Sequence, residues 1–210
     1  MKLIVWLDIA CPFCHIGRTN LDRALEELDA DIEVEYKSFR LNPTAPDNPD
    51  FTMIEELSEK YGKPEEEILG MIDQVIAHGE EAGLTFNMNE VIPSNTMDAH
   101  RLIKFAAEED KDGEVVHALY TAYFEAGRNI ADQNVLLEIA ESAALDTAKA
   151  KDMLESDLLK ELIYADQNEA KEIGVQGVPF IVIDGEYAIA GARSAADYIK
   201  ALEEAGAAIK

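Results

Sequence analysis

Apolar residues run unbroken over positions 3–7, Leu3-Ile4-Val5-Trp6-Leu7, as in a strand buried on both faces. The spacing then changes. Ile16, Leu21, Leu25 and Leu28 recur at helical intervals, with Pro12 just inside the helix start, where its missing N–H costs little. Ile32-Glu33-Val34-Glu35-Tyr36 alternates with period two and predicts a second strand running on towards Phe39. Strand, helix, strand is the first half of a βαβ unit.

Three prolines within residues 43–49 mark an irregular crossing between layers. From about 51 to 150 the pattern offers no good strand. It predicts helices near 51–61, 64–82, 95–109, 112–126, 132–143 and 146–155, with Pro64 and three following glutamates starting one and Asp132 capping another. A further helix is expected over 156–173, then a strand over 180–183. Asp184-Gly185 signals a hairpin into a returning strand over 186–190, and Ser194 caps a last amphipathic helix. The expected fold class is α/β, with residues 1–42 and 156–210 as two halves of one domain and 43–155 as an all-helical insertion between them. In that buried first run, Trp6 reads as core.

Composition narrows the function. Apolar residues make up 48% of the 210 residues, ample for a core. The net charge of −25, from 43 acidic and 18 basic residues, argues against nucleic acid or an anionic membrane as partner. Runs such as Glu65-Glu66-Glu67 read as solvated helix faces, and an excess this large suits a salty interior that screens self-repulsion. No apolar run is long enough to span a bilayer, and Met1-Lys2 leads straight into the first strand, so the expectation is a cytoplasmic protein.

The only two cysteines, Cys11 and Cys14, flank Pro12 and Phe13 where the first strand gives way to the first helix. Free N–H groups and the helix dipole favour an anion there, and the two-residue gap lets the pair cycle between dithiol and disulfide. A structural disulfide would close too small a loop to restrict the unfolded chain much. Zinc wants four ligands, and beyond His15 no compact Cys/His pair accompanies these two, so no metal is expected. Cys11, nearer the helix start, is the expected attacking thiol, and Cys14 the resolving one. Pro12 and Phe13, between the cysteines, set local geometry and polarity, and Phe13 reads equally as an ordinary rim aromatic. His15 either adds positive charge beside the pair or is an exposed helix residue. Val178-Pro179 precedes a central strand, where a proline fits because no N–H is needed.

The run from Asp8 to Gly17 carrying Cys11-Pro12-Phe13-Cys14, then Asn95-Thr96 with His100-Arg101, Gly174-Val175-Gln176-Gly177-Val178-Pro179, and Gly191-Ala192-Arg193 together resemble the DsbA-like oxidoreductases of the FrnE type, over nearly the whole chain. The resemblance implies a thioredoxin fold with a helical insertion and a cis Val178–Pro179 bond facing the cysteines. It also implies thiol–disulfide exchange on a protein or small-molecule disulfide. Family members often have Trp-Cys-Tyr where this chain has Phe13-Cys14-His15, and Gly-Ala-Gln where it has Arg193, so substrate choice is expected to differ at this rim. Asn95, His100 and Arg101 are expected either near the redox centre, holding a polar substrate, or as an ordinary helix cap and surface pair. No cofactor is expected to be tightly bound, with glutathione as redox partner or cosubstrate, in a monomer or homodimer. The rival readings are a glutathione-dependent isomerase or transferase, akin to the 2-hydroxychromene-2-carboxylate isomerases and kappa-class glutathione transferases, and a redox-linked chaperone.

Overall fold

The computed structural model describes residues 1–28 and 32–206. Strand β1 (Lys2–Leu7) lies at the centre, parallel to β2 (Glu33–Ser38) on one side and antiparallel to β3 (Phe180–Ile183) on the other. β4 (Tyr187–Ala190) completes the order β2-β1-β3-β4. The unbroken apolar run is explained by its two covered faces. Leu3, Val5 and Leu7 join the core with α1 (Pro12–Leu28) and α9 (Ala195–Glu204), whereas Trp6 turns the other way onto Ala170 and Val175, in and just after α8 (Lys160–Glu172). Trp6 is core, as expected, and its indole N–H donates to Asp166 O at 3.2 Å. At the hairpin, Asp184 and Gly185 have φ of 48° and 74°, the positive pair that a tight hairpin turn demands.

Between the two halves lie α2 (Met53–Tyr61), α3 (Glu65–Glu81), α4 (Met97–Ala107), α5 (Asp112–Tyr120), α6 (Gln133–Ser142) and α7 (Thr147–Leu154). Side chains start several of them. Thr52 and Glu55 form a reciprocal capping box on α2, Asp132 accepts from Asn134 N, Asp146 from Ala148 N and Lys149 N, and Ser194 caps α9. The arrangement is the α/β fold with a helical insertion expected above. Among the described residues no helix is long and apolar enough to cross a membrane.

Two elements depart from expectation. Residues 112–126 were expected as one α-helix, but Thr121–Glu125 is a π-helical turn. It carries the buried Tyr123 and Phe124, and Phe124 stacks with Tyr120 over His15. The helix expected from 156 begins only at Lys160, after Leu159 with φ of 67°. The cause is Arg101. Its buried guanidinium gathers the carbonyls of Met153, Leu154, Ser156 and Leu158, which turns the chain out of a helical path.

The proline-rich crossing is irregular, as predicted, and held by side-chain N–H donors. Asn95 donates to Ala45 O at 2.7 Å, Asn129 to Asp47 O at 2.9 Å, and Arg40 to Pro43 O at 2.9 Å.

Candidate active site

After β1 the chain turns tightly, with Cys11 N donating to Asp8 O at 3.1 Å, and α1 begins at Pro12. The turn sets Cys11 at the helix mouth and Cys14 one turn inside. Both thiols are free and buried, Cys11 at 5% exposure and Cys14 at 1%. The Cys11 thiol donates to Val178 O at 3.5 Å, and the Val178–Pro179 peptide is cis.

Close packing here depends on Gly17. A Cβ at that position would lie 3.0 Å from Pro179 Cγ and 3.2 Å from the Tyr198 hydroxyl, so a side chain there would press α1 away from the proline loop and α9 by a few tenths of an ångström. The Tyr198 hydroxyl in turn accepts from Arg193 N at 3.3 Å, and Asn20 donates to Arg193 O at 2.8 Å, fixing the loop that carries the Arg193 side chain. Phe13, 41% exposed, stands over a cleft of about 320 Å³ that also includes Ile16, His78, Ala82, Ala192 and Arg193. Phe13 and Arg193 thus share one rim. The insertion closes the far wall through His78, whose ring centroid lies 6.3 Å from that of Phe13.

Electrostatics separate the two thiols. Burial, and then the adjacent Cys11 thiol, push the Cys14 thiol well above its ordinary value. Cys14 therefore stays protonated at rest.

His15 corrects both earlier readings. It is fully buried, stacked on Tyr120 at 4.7 Å, and neither ring nitrogen has a hydrogen-bond partner among the described residues. Burial, helped by the charges of His117 and Arg18, pushes it down to about 4, so it is neutral at physiological pH and supplies no charge to the thiols. His100 and Arg101 are not a surface pair; each is 1% exposed. Arg101 serves the α7–α8 junction and its i−3 neighbour Asp98, at 2.7 Å, not a substrate. Asn95 is consumed locally. Its Oδ1 accepts from Met97 N and from Arg40, while its Nδ2 holds Ala45 O. That is close to the capping alternative, and it leaves the amide occupied.

His100 does reach the centre, through a residue the sequence reading passed over. Its Nε2 lies 3.1 Å from Oδ1 of Asp8, three residues before Cys11, in a pair 1% exposed on both sides. The other carboxylate oxygen accepts from Leu41 N at 2.7 Å. Burial alone would push the Asp8 carboxyl up, but His100, the Leu41 N–H and the Thr96 hydroxyl outweigh it and hold Asp8 below its usual value. The available signal was a lone acid directly after an apolar strand, a position with no surface to occupy.

Residues 2–203 match the DSBA-like thioredoxin domain. The chain is 28% identical over 202 residues to the uncharacterized protein YwbO of Bacillus subtilis, spanning 95% of this chain and 94% of that one. A probable DsbA oxidoreductase from Streptomyces coelicolor superposes with a TM-score of 0.90 at 30% identity, covering 98% of this chain and 89% of that one. The cytosolic disulfide reductase DsbM from Pseudomonas aeruginosa, in a structure with GSH, shares the fold at 16% identity and a TM-score of 0.68, covering 98% of each chain.

Proposed function

Because the chain belongs to the family of DSBA-like thioredoxin domains and is an oxidoreductase of that fold, we propose that Cys11 and Cys14 exchange electrons with disulfides through a mixed-disulfide intermediate. The observation that carries this is the asymmetry of the pair. One sulfur, in a residue 5% exposed, sits at the mouth of α1 beside the Val178 carbonyl, two residues before Phe13, and the other, in a residue 1% exposed, lies one turn inside with its proton retained.

In the reducing direction the Cys11 thiolate attacks one sulfur of a substrate disulfide. A Cys11–substrate disulfide forms and the other substrate sulfur leaves as thiolate. Cys14 loses its proton and attacks Cys11, expelling the second substrate thiolate and leaving a Cys11–Cys14 disulfide. Two electrons pass to the substrate; the reverse sequence oxidises a substrate dithiol. The N-terminus of α1 stabilises the charge that appears on Cys11 whenever it is the leaving sulfur.

The cleft supports a substrate that lays an apolar group on Phe13 and a polar or anionic one at Arg193. Phe13 and Arg193 are this chain's own variants at that rim, within an otherwise FrnE-type set of motifs, whereas His15, the other departure, lies buried away from it. Glutathione is the proposed redox partner, a reading to which the glutathione seen with DsbM lends support at the level of fold.

The deciding measurement is equilibration of the pair against glutathione, with mass spectrometry reporting the disulfide. A reversible two-electron transition between about −120 and −230 mV is expected. Activity that needs glutathione yet survives Cys14→Ser would replace this reading with a glutathione-dependent isomerase or transferase.

A further inference from the structure

One side chain of the insertion touches the redox turn at both of its ends. Tyr120, the last residue of α5, is fully buried, and its hydroxyl donates to Asp8 O at 3.2 Å. The same carbonyl accepts from Cys11 N at 3.1 Å, so the hydroxyl holds the turn by which the chain enters the pair. The ring of Tyr120 lies flat on His15, the residue directly after Cys14, with centroids 4.7 Å apart and planes 7° from parallel. His15 N and Cys14 N both donate to Cys11 O, at 3.3 and 3.0 Å. The backbone is thus held before the first sulfur and after the second by one residue, 112 positions from Asp8 in sequence.

His15 contributes its ring face to this contact. Neither ring nitrogen has a hydrogen-bond partner among the described residues, and Glu125 Oε1 stops 3.8 Å from Nε2. Tyr120 is braced by the π-turn that follows it. Ala126 N donates to Thr121 O at 3.0 Å, and the widened turn sets the Phe124 ring 6.3 Å from that of Tyr120, at 22°. Phe86 packs on both Phe124 and His15, while Asn87 N donates to Phe124 O at 2.8 Å and the Asn87 side chain to Glu125 O. The platform under the redox turn is therefore built by the insertion, from α5, the π-turn and residues 86–87.

We propose that Tyr120 is a positioning residue that sets the balance between dithiol and disulfide: by holding Asp8 and His15 it preorganises the turn, so that Cys14 closes on Cys11 without first ordering the backbone around them. This rests on the exchange role given to the pair above. With glutathione, the protein dithiol and one glutathione disulfide yield the protein disulfide and two glutathione thiols. The Cys11–Cys14 bond forms as the glutathione S–S bond breaks, two electrons pass from the protein, and both cysteine protons end on the glutathione sulfurs. Tyr120, at 0% exposure, meets no substrate, so its influence falls on closure within the chain. Backbone freedom removed in advance is not lost when the bond forms, and the effective concentration of Cys14 at Cys11 rises accordingly.

Tyr120→Phe deletes the hydroxyl and keeps the ring on His15. Equilibration of the full chain and of this variant against glutathione reads closure directly. The equilibrium constant for disulfide formation is expected to fall ~3–10-fold in the variant, which raises the potential by about 15–30 mV. A tyrosine that only packs would weaken both redox forms equally, so a lower unfolding midpoint with an unchanged constant overturns the proposal. A constant that rises overturns it as well, because the hydroxyl would then favour the dithiol. Should Tyr120→Phe not fold, His15→Leu decides, since it removes the flat contact at the far end of the turn and leaves the hydroxyl in place. The same fall supports the platform, and an unaltered constant removes it. An unmodified chain whose cysteines form no reversible disulfide refutes the exchange role and this proposal with it, whereas a constant unmoved only by the substitution refutes the proposal alone.

Discussion

At the scale of single residues, neighbours far away in sequence reverse what a position beside the cysteines leads one to expect. His15 adjoins Cys14, yet Tyr120, Phe124 and Phe86 close over it from other elements, and nothing local signals that enclosure. A histidine at about 4 when folded, against about 6.5 when unfolded, binds its proton more readily in the unfolded chain. Its contribution to stability is thus complete above about pH 6.5 and is lost as pH falls towards 4, up to about 3 kcal/mol. His15→Phe, which keeps the stack, is expected to flatten that part of the acid limb in denaturant titrations, and an unaltered slope would contradict the buried neutral imidazole. The same substitution is expected to leave the pH profile of Cys11 alkylation unmoved, since no charge is removed. Cys11, Cys14 and Phe13 were findable from spacing and local pattern, and Arg193 only from the family resemblance of the Gly191-Ala192-Arg193 run. Asp8 was findable in principle, as an acid where the strand leaves no surface. The occupation of Asn95 and Arg101 was not, because their partners lie up to 57 residues away.

At the scale of elements, the termini written into side chains were legible: Asp132, Ser194 and Asp184-Gly185 each do locally what their chemistry requires. The late start of α8 was not, because its cause is a guanidinium delivered from α4. The contact of α1 with the proline loop is similarly set by shape. Gly17→Ala inserts a methyl against Pro179 and Tyr198 and is expected to cost about 1–3 kcal/mol. It should also move the first turn of α1 away from Val178, so disulfide exchange slows even in the fraction that remains folded. Thermal unfolding and single-turnover rates measured on one preparation check both effects; full activity with full stability would mean that the helix has slack there.

Across the whole molecule, net charge dominates over individual ion pairs. Exposed pairs such as Lys63–Glu67 and Arg128–Glu138 weaken when salt screens them, but carboxylates outnumber cations by 43 to 18, so relief of repulsion is the larger effect. The unfolding midpoint is expected to rise between low salt and 1 M, where the Debye length falls to about 3 Å, and a flat or falling midpoint would contradict this. The division into a sheet and an inserted helical block was readable because hydrophobic period switches from two to helical spacing and back. How the layers meet was not, since Asp8 and His100 carry no mark of each other. The pairing of β1 with β3, Leu3 opposite Ile183, has a consequence for biosynthesis. At ~5–20 residues per second a ribosome needs on the order of ten seconds or more to make what lies between those partners. Throughout that interval the emerging chain presents β1 with one edge open, and Cys11 without the Val178 carbonyl beside it. The dithiol is translated among the first residues, but its surroundings are finished among the last, so a truncated product carries both cysteines and only half of the pocket that gives them direction.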